Sequence, residues 1–401
     1  MPVAALARTE PEAVGLSSVR LRRVAEALRR DVEAGQLPGG VLGIMRAGKL
    51  AYLEATGYRD AITREPLKTD AIFSIASMTK AMTSTAIMLL VEEGRILLAD
   101  PVSKYLPPLA ALRVVDTATT TRAPRQPPSI QDLLRHSSGL TYRDRGTTPA
   151  HAMYPGSSIV TAERMSKDDT IAALAKSPLL FDPGSSWEYG FSTDVLGFVV
   201  EAVTGQRLGA VLKARIWDPL GMTETSFALP GDKRGRYALA LAKDPVTGEP
   251  NATIHHATDK TQIWDSGGGG CVSTVSDYLR FAEMLRGGGK LGSVDLLGRG
   301  TVALMTSDHL PATFTNMIAD KMDPAAAGYG FGLGFAVRRQ DGIAAMAGSA
   351  GDYYWSGVYG TYFWVDPKEQ LTVVFMAAAP GLIRLRYRQM MRNIVYQALT
   401  V

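Results

Sequence analysis

Segments with the apolar pattern of β-strands lie at both ends of this chain, and helical patterns dominate the middle. Residues 39–46 and 50–55 form two such runs near the N-terminus, and residues 331–338, 357–365 and 371–378 form three near the C-terminus. A sheet must bury its apolar face against other elements. We therefore expect an α+β fold, in which helices flank one antiparallel sheet assembled from both chain ends.

The helical segments define the expected domain organisation. Apolar residues recur at helical spacing in residues 18–34, 77–93, 130–135, 168–175, 195–203, 275–285 and 383–398. Residues 1–95 and 265–401 are predicted to form a discontinuous sheet domain, and residues 96–264 an inserted, mainly helical domain. The cleft between two such parts is the expected place for a substrate.

Composition excludes several kinds of chemistry. The 401 residues include one cysteine, Cys271, which rules out an internal disulfide and any CxxC metal or redox site. The net charge of +4 is too small to indicate binding to nucleic acid or to a membrane surface. No signal peptide is recognisable at the N-terminus, so we expect a cytoplasmic protein. The sequence does not indicate an oligomeric state.

Histidine is equally scarce. The chain has five histidines and no HExxH motif, so we predict neither a metal site nor a cofactor. The pair His255 and His256 lies in a polar loop and is expected to meet solvent. His136 is the tempting base of a Ser-His pair. No GxSxG is present, which argues against an α/β-hydrolase nucleophile elbow.

Residues 77–80 form an SxxK tetrapeptide at the start of a predicted helix. At positions i and i+3, the Ser77 hydroxyl and the Lys80 amine lie on the same helix face. A serine hydroxyl becomes an effective nucleophile when a neighbouring base takes its proton, and a buried lysine can be that base. The alternative is an ordinary helix cap followed by a solvated lysine.

Two further motifs carry candidate groups. Tyr189 lies in the tetrapeptide WEYG after a predicted turn and could share a proton with Ser77 and Lys80. Residues 355–360, WSGVYG, lead into a predicted strand, where small residues let a substrate approach the backbone. A backbone N–H there could pair with that of Ser77 as an oxyanion hole. Taken singly, each motif could equally belong to an aromatic core.

Taken in order, the three motifs resemble those of the serine β-lactamase and penicillin-binding-protein superfamily, which carries SxxK, YxN and KTG. Framework segments that look like that superfamily are 133–140 (LLRHSSGL), 219–222 (PLGM), 266–270 (SGGGG) and 329–332 (YGFG). Two departures are informative. Phe191 stands where YxN has its amide, and Trp355 stands where KTG has its lysine. The pattern around Tyr189 and Trp355 is similar to family VIII carboxylesterases.

The resemblance implies a β-lactamase-like fold and a role for each matched residue. Ser77 would be the acylated nucleophile, and Lys80 with Tyr189 the coupled general bases. The segment around His136 would be structural. Trp355 would shape the acyl or alcohol pocket, and the backbone N–H groups of Ser77 and Val358 would form the oxyanion hole.

From their places in or beside the second and third motifs, Phe191, Tyr354 and Gly357 are expected to bind substrate. The missing lysine would normally face a substrate carboxylate. We therefore expect a serine carboxylesterase for small to medium uncharged acyl esters, with a small-molecule ester as its binding partner. The alternatives are a β-lactamase or D-amino-acid peptidase and an acyltransferase with an alcohol acceptor.

Overall fold

The computed structural model describes residues 6–251, 254, 256 and 261–400. The strands are β1 Gly39–Arg46, β2 Lys49–Asp60, β3 Glu65–Pro66, β4 Phe73–Ser74, β5 Val114–Val115, β6 Thr121–Arg122, β7 Val272–Ser273, β8 Lys290–Leu291, β9 Val294–Asp295, β10 Tyr329–Phe331, β11 Ala336–Arg338, β12 Tyr353–Ser356, β13 Tyr362–Asp366 and β14 Leu371–Ala377.

The α-helices of the same residues are α1 Ser18–Glu33, α2 Thr79–Glu92, α3 Ile130–Leu134, α4 Pro149–Ala152, α5 Ser158–Arg164, α6 Lys167–Lys176, α7 Ser192–Thr204, α8 Leu208–Leu212, α9 Asp218–Leu220, α10 Val275–Arg286, α11 Arg299–Met305, α12 Met317–Lys321 and α13 Ile383–Tyr396. A π-helical segment, Lys213–Trp217, joins α8 to α9. The 3-10 turns are Pro11–Val14, Ala76–Met78, Val102–Lys104, Pro107–Ala111, Arg143–Arg145, Gly231–Arg236 and Pro324–Ala326.

The main sheet is antiparallel and draws its strands from both ends of the chain. Its order within the described residues is β10-β11-β12-β13-β14-β1-β2-β3. The ends join where β1 pairs with β14, in a register that sets Leu42 opposite Phe375. The predicted fold class is therefore confirmed. The division at residues 95 and 265 remains a prediction.

Glycines in β1 leave room for side chains on both faces of the sheet. A Cβ on Gly40 would lie 2.8 Å from the Phe375 ring and 3.7 Å from Leu28 of α1, whereas a Cβ on Gly43 would lie 2.6 Å from Leu279 of α10. Side chains three residues apart on a strand point to opposite faces. Helices α1 and α10 thus cover the two faces, and β1 runs through the core between them.

Two predicted strands are wrong in the same way. Residues 331–338 form a hairpin of β10 and β11, and Gly334 in its turn has φ of 107°. Residues 357–361 form the turn between β12 and β13 and not the start of a strand, and Gly360 there has φ of 105°. Such positive φ angles favour glycine and end a strand. The third motif is therefore a hairpin turn.

No single helix in the described part of the chain is both long and apolar enough to cross a membrane. One bent pair, Ser192–Thr204 with Leu208–Leu220, passes the same test by length and composition.

Candidate active site

Ser77 lies in a short 3-10 turn, Ala76–Met78, and not at the first residue of the α-helix as predicted. The α-helix α2 begins two residues later, at Thr79. Ala76 has φ of 43°, an uncommon conformation for a residue with a Cβ. Strain of this kind persists where the surrounding structure enforces it, often at functional sites. The turn places Ser77 at the wall of a cavity of about 320 Å³.

Lys80 lies one turn further on, with only 2% of its surface exposed. Its Nζ is 3.5 Å from Ser77 Oγ and donates to the carbonyl of Gly268 at 2.5 Å. A third contact, at 3.3 Å, runs to the hydroxyl of Tyr142. The amine is thus held beside the serine hydroxyl by groups from two other segments.

Tyr189 completes the group that the motifs predicted. Lys80 Nζ lies 4.5 Å from the centre of the Tyr189 ring, and Trp355 Nε1 donates to the Tyr189 hydroxyl at 3.3 Å. Ser77 and Tyr189 both line the cavity. The structure therefore brings the three motifs together from α2, the loop before α7 and β12. Their catalytic roles remain predictions.

His136 packs behind Tyr189, with 4.7 Å between the two ring centres. Burial lowers the pKa of His136 well below its ordinary value, and the charges of Lys80 and Arg145 lower it further. The imidazole is therefore neutral at pH 7, and it supports the Tyr189 ring as a packing surface. This agrees with the structural role expected for His136.

Asp194 is a buried carboxylate that the sequence analysis missed. It accepts hydrogen bonds from Ser158 Oγ at 2.7 Å, from Ser266 Oγ at 2.8 Å and from the backbone N–H of Gly268 at 2.8 Å. The Tyr142 hydroxyl is 3.4 Å from the same carboxylate. A charged residue just before the apolar run 195–200 of helix α7 was the available signal, because a buried charge needs partners.

Tyr142 was missed as well. It lines the cavity and connects Lys80 to Asp194 through its hydroxyl. Its pKa is raised well above the ordinary value by burial first, and then by the charges of Asp194 and Tyr189. Tyr142 therefore stays a neutral phenol, which can donate to the carboxylate and accept from the lysine at the same time.

The glycine run 267–270 does more than form the turn expected beside the sheet. Gly268 contributes its carbonyl to Lys80 and its N–H to Asp194. A Cβ at Gly268 would lie 2.4 Å from Asp194 Oδ2 and 2.6 Å from Ser158 Oγ. Only a residue without a side chain allows so close an approach.

The turn between β12 and β13 forms another wall of the cavity. Ser356 and Val358, on either side of Gly357, line the cavity together with Ser77. Gly357 has a different place from the one predicted, since its missing Cβ would lie 2.5 Å from the carbonyl of Ile75. Gly357 thus lets the turn pack against the segment that precedes Ser77. The pairing of the Ser77 and Val358 N–H groups as an oxyanion hole stays a prediction.

Trp355 is buried and contacts Tyr189, and it is not among the described residues that line the cavity. Its expected role in shaping the acyl or alcohol pocket stays a prediction. Two other residues predicted to bind substrate do not line this cavity. Phe191 lies in the core, where its ring meets those of Tyr142 and Tyr154. Tyr354 is covered by α13, with its ring centre 5.5 Å from the Arg392 guanidinium. Proximity to a motif in sequence did not determine where these side chains point.

No group of three or more His, Cys, Asp or Glu side chains with the geometry of a metal site occurs among the residues that the structure describes. His256 is buried, with Nδ1 2.6 Å from Ser74 Oγ, so the expectation that it meets solvent is wrong. His255 lies outside the described residues. Cys271 is fully buried, as expected.

Comparison with known proteins gives the family. The profile of the family described as Beta-lactamase matches residues 24–389, which is nearly the whole chain. The chain belongs to the beta-lactamase family. The Mycobacterium tuberculosis protein Rv1367c is 32% identical to this beta-lactamase family member. The match covers 87% of the present chain and 88% of Rv1367c.

Two further similarities are to esterases. Esterase EstB of Burkholderia gladioli is 28% identical and covers 92% of this chain and 93% of the relative. The solved structure of EstCE1, described as a hydrolase with promiscuous acyltransferase activity, superposes with a TM-score of 0.80 at 27% identity, covering 96% and 99% of the two chains. The β-lactamase-like fold and the relation to family VIII esterases are confirmed. The protein is a serine hydrolase of the beta-lactamase family.

Proposed function

We propose that this protein is a carboxylesterase that hydrolyses small to medium esters through an acyl-serine. The observation that carries the proposal is the contact between Lys80 Nζ and Ser77 Oγ, 3.5 Å apart at the wall of a 320 Å³ cavity. A cavity of this size suits a small organic ligand. The names of EstB and EstCE1 support an ester substrate over other acyl compounds.

The reaction has two steps. Ser77 Oγ attacks the ester carbonyl, its proton passes through Lys80 and Tyr189 to the leaving alcohol, and the ester C–O bond breaks. Water then attacks the acyl-serine, releases the acid and restores the Ser77 hydroxyl. Lys80 and Tyr189 share the proton transfers between them. A side chain positioned for general acid–base catalysis accelerates a reaction by about 10²–10⁴-fold in known enzymes.

The test is the release of nitrophenol from short-chain nitrophenyl esters by the wild type and by Ser77→Ala. We expect Ser77→Ala to lose turnover while its unfolding temperature stays close to that of the wild type. Ser84→Ala is the matched control, because this buried hydroxyl of α2 has no hydrogen-bond partner among the described residues. Full activity in Ser77→Ala would show that another nucleophile acts.

The alternatives are tested on the same preparation. Faster opening of a chromogenic cephalosporin, or faster cleavage of a D-Ala-D-Ala peptide, would favour the β-lactamase or peptidase. Acyl transfer shares the acyl-serine, and the description of EstCE1 favours it as a second activity. An added alcohol that appears as a new ester in place of free acid would demonstrate it. Arginines line the cavity, so the proposal includes esters that carry a charge as well as the uncharged esters that the sequence predicts.

A further inference from the structure

Two arginines of helix α13 line the cavity that contains Ser77. Arg384 and Arg388 are four residues apart, so both project from the same face of the helix. Arg388 is only 8% exposed, and Arg384 is half-buried. Two guanidinium groups at the wall of a substrate cavity are unusual, because a buried cation is costly unless it is paired.

Arg388 keeps part of its hydrogen-bonding capacity unused. Its Nη2 donates to the carbonyl of Gly357 at 3.2 Å, and its Nη1 is 3.7 Å from Asp323 Oδ2. Its Nε is buried and has no partner in the part of the chain that the structure describes. The contact with Gly357 holds this guanidinium beside the turn that contains Val358.

Arg384 has the same feature. Its Nη1 donates to the backbone carbonyls of Pro380 and Gly381, at 3.1 and 2.7 Å, and its buried Nε has no partner among the described residues. Asp244 lies nearby, but its carboxylate accepts the N–H of Leu382 at the start of α13. Backbone carbonyls carry only partial charge, so they neutralise Arg384 incompletely.

The charges around the pair leave an excess of positive charge. Burial first, and then the charge of Arg388, lowers the pKa of Arg384 to about 10, although Asp244 and Asp323 raise it. Arg145 and the exposed Asp144 line the cavity as well and carry opposite charges. Glu188 pairs with both Arg145 and Lys321. An anion between Arg384 and Arg388 would relieve their repulsion and use their free N–H groups.

We propose that Arg384 and Arg388 bind a carboxylate carried by the ester substrate, so that the preferred substrates are esters with one free acid group. This inference rests on the proposed esterase function and names its substrate class. The planar guanidinium favours a carboxylate, whose two oxygens accept parallel N–H bonds. The carboxylate would fix one end of the substrate while Ser77 attacks the ester carbonyl.

The experiment compares monoethyl adipate, which has a free carboxylate, with ethyl hexanoate, which has the same number of acyl carbons and no charge. Ethanol release gives kcat/KM for each. We expect the wild type to prefer monoethyl adipate. The preference ratio is kcat/KM for monoethyl adipate divided by kcat/KM for ethyl hexanoate. It should fall about tenfold or more in Arg384→Gln and in Arg388→Gln, because each variant loses one charge-assisted hydrogen bond to the substrate. A preference for ethyl hexanoate, or a ratio that both variants keep, overturns the inference.

Arg386→Gln is the matched control. Arg386 lies on the same helix, with half of its side chain exposed, and pairs with Asp31 at 3.3 Å outside the cavity. Its substitution should leave the preference ratio at the wild-type value. An equal fall of the preference ratio in Arg386→Gln would indicate a general effect of charge. That result would contradict a specific carboxylate site at Arg384 and Arg388.

Calorimetric titration with adipate tests the arginine pair independently of turnover. Saturable binding that Arg384→Gln weakens and Arg386→Gln keeps supports the site, even if neither ester is hydrolysed and the proposed esterase function fails. Absence of adipate binding, together with hydrolysis of ethyl hexanoate, overturns the carboxylate site and leaves the esterase function standing.

Discussion

Lys80 is the residue on which the chemistry of the site depends most, because three segments control its amine. The Gly268 carbonyl and the Tyr142 hydroxyl accept from Nζ, while Ser77 Oγ lies 3.5 Å away. Asp194 supports both partners, since it accepts from the N–H of Gly268 and lies 3.4 Å from the Tyr142 hydroxyl. Neutral Tyr142 therefore connects the buried carboxylate to Lys80, and we infer that it positions the lysine amine.

We predict that Tyr142→Phe lowers kcat by about tenfold or more, because Lys80 loses an acceptor and Asp194 a donor. Tyr154→Phe is the matched control, since this buried hydroxyl bonds to the carbonyl of Pro178 and lies outside the group around Lys80. Steady-state kinetics and thermal unfolding of both variants check the prediction. Equal losses of kcat in the two variants would contradict a specific role for Tyr142.

Gly268→Ala is predicted to disturb the same arrangement sterically. The added Cβ would lie 2.4 Å from Asp194 Oδ2, so the loop or α7 must move, at a cost of about 1–3 kcal/mol. Gly300→Ala, in α11, adds its methyl group to open space and should keep wild-type stability. Urea unfolding and esterase assays of both variants give the measurement. A Gly268→Ala protein as stable and active as the wild type would show that the contact is dispensable.

At the residue scale, the sequence predicted the chemical groups better than their surroundings. Ser77, Lys80 and Tyr189 could be identified because the motifs define residue types and order. Tyr142 and Asp194 were missed, because their contacts depend on where two loops meet the first turn of α7. Phe191 was assigned to the substrate site although it lies in the core, since position in a motif does not determine the direction of a side chain.

At the scale of the elements, the helices of ten or more residues were predicted well because their apolar spacing spans several turns, whereas short helices such as α5, α8 and α11 were missed. Helix α1 ends within one residue of its predicted boundary, and α10 spans the predicted segment. Hairpins were the weak point. The runs 331–338 and 357–365 are apolar enough to suggest continuous strands, and only a glycine with positive φ shows where each of them turns.

Helix α10 carries a prediction about pH. Asp277, in its first turn, accepts hydrogen bonds from the N–H of Glu224 and from Thr225 Oγ1. Burial raises the pKa of Asp277 from 3.8 to about 6 in the folded protein. The protonated carboxyl is therefore favoured by folding, and its contribution to stability is full below pH 3.8 and is lost as the pH rises through about 6.

We expect the stability of the wild type relative to Asp277→Asn to fall between pH 4 and 7, because asparagine has no charge to bury. Urea unfolding at several pH values measures this difference. Asp295→Asn, whose carboxylate is exposed and pairs with Lys290, should show no such change over the same interval. A difference that is flat with pH for Asp277→Asn would contradict the raised pKa.

At the scale of the whole molecule, a buried group of charges joins α13 to the sheet. Asp352 accepts from Arg338 Nε at 2.8 Å, from Arg392 Nη1 at 2.9 Å and from the hydroxyl of Tyr329 at 2.7 Å. Both arginines are almost fully buried. The helix that carries Arg384 is thus fixed to β10 and β11, while Arg386 of the same helix pairs with Asp31 of α1.

Asp352→Asn is predicted to lower the free energy of unfolding by about 3–5 kcal/mol, since it leaves two buried cations without their counter-charge. Asp218→Asn, which removes an exposed ion pair with Lys213, should change it by about 1 kcal/mol or less. Denaturant unfolding compares the two. A small loss in Asp352→Asn would mean that other groups or solvent compensate the arginines.

The pairing of β1 with β14 has a consequence for biosynthesis. More than 300 residues separate Gly40 from its partner Ala377, so a nascent chain leaving the ribosome exposes the apolar edge of β1 during most of translation. Unpaired strand edges favour aggregation. Ser77 leaves the ribosome early, whereas the turn with Val358 and the arginines of α13 leave late. We therefore expect the yield of folded enzyme to depend on how well β1 is shielded during this interval, for example by a chaperone.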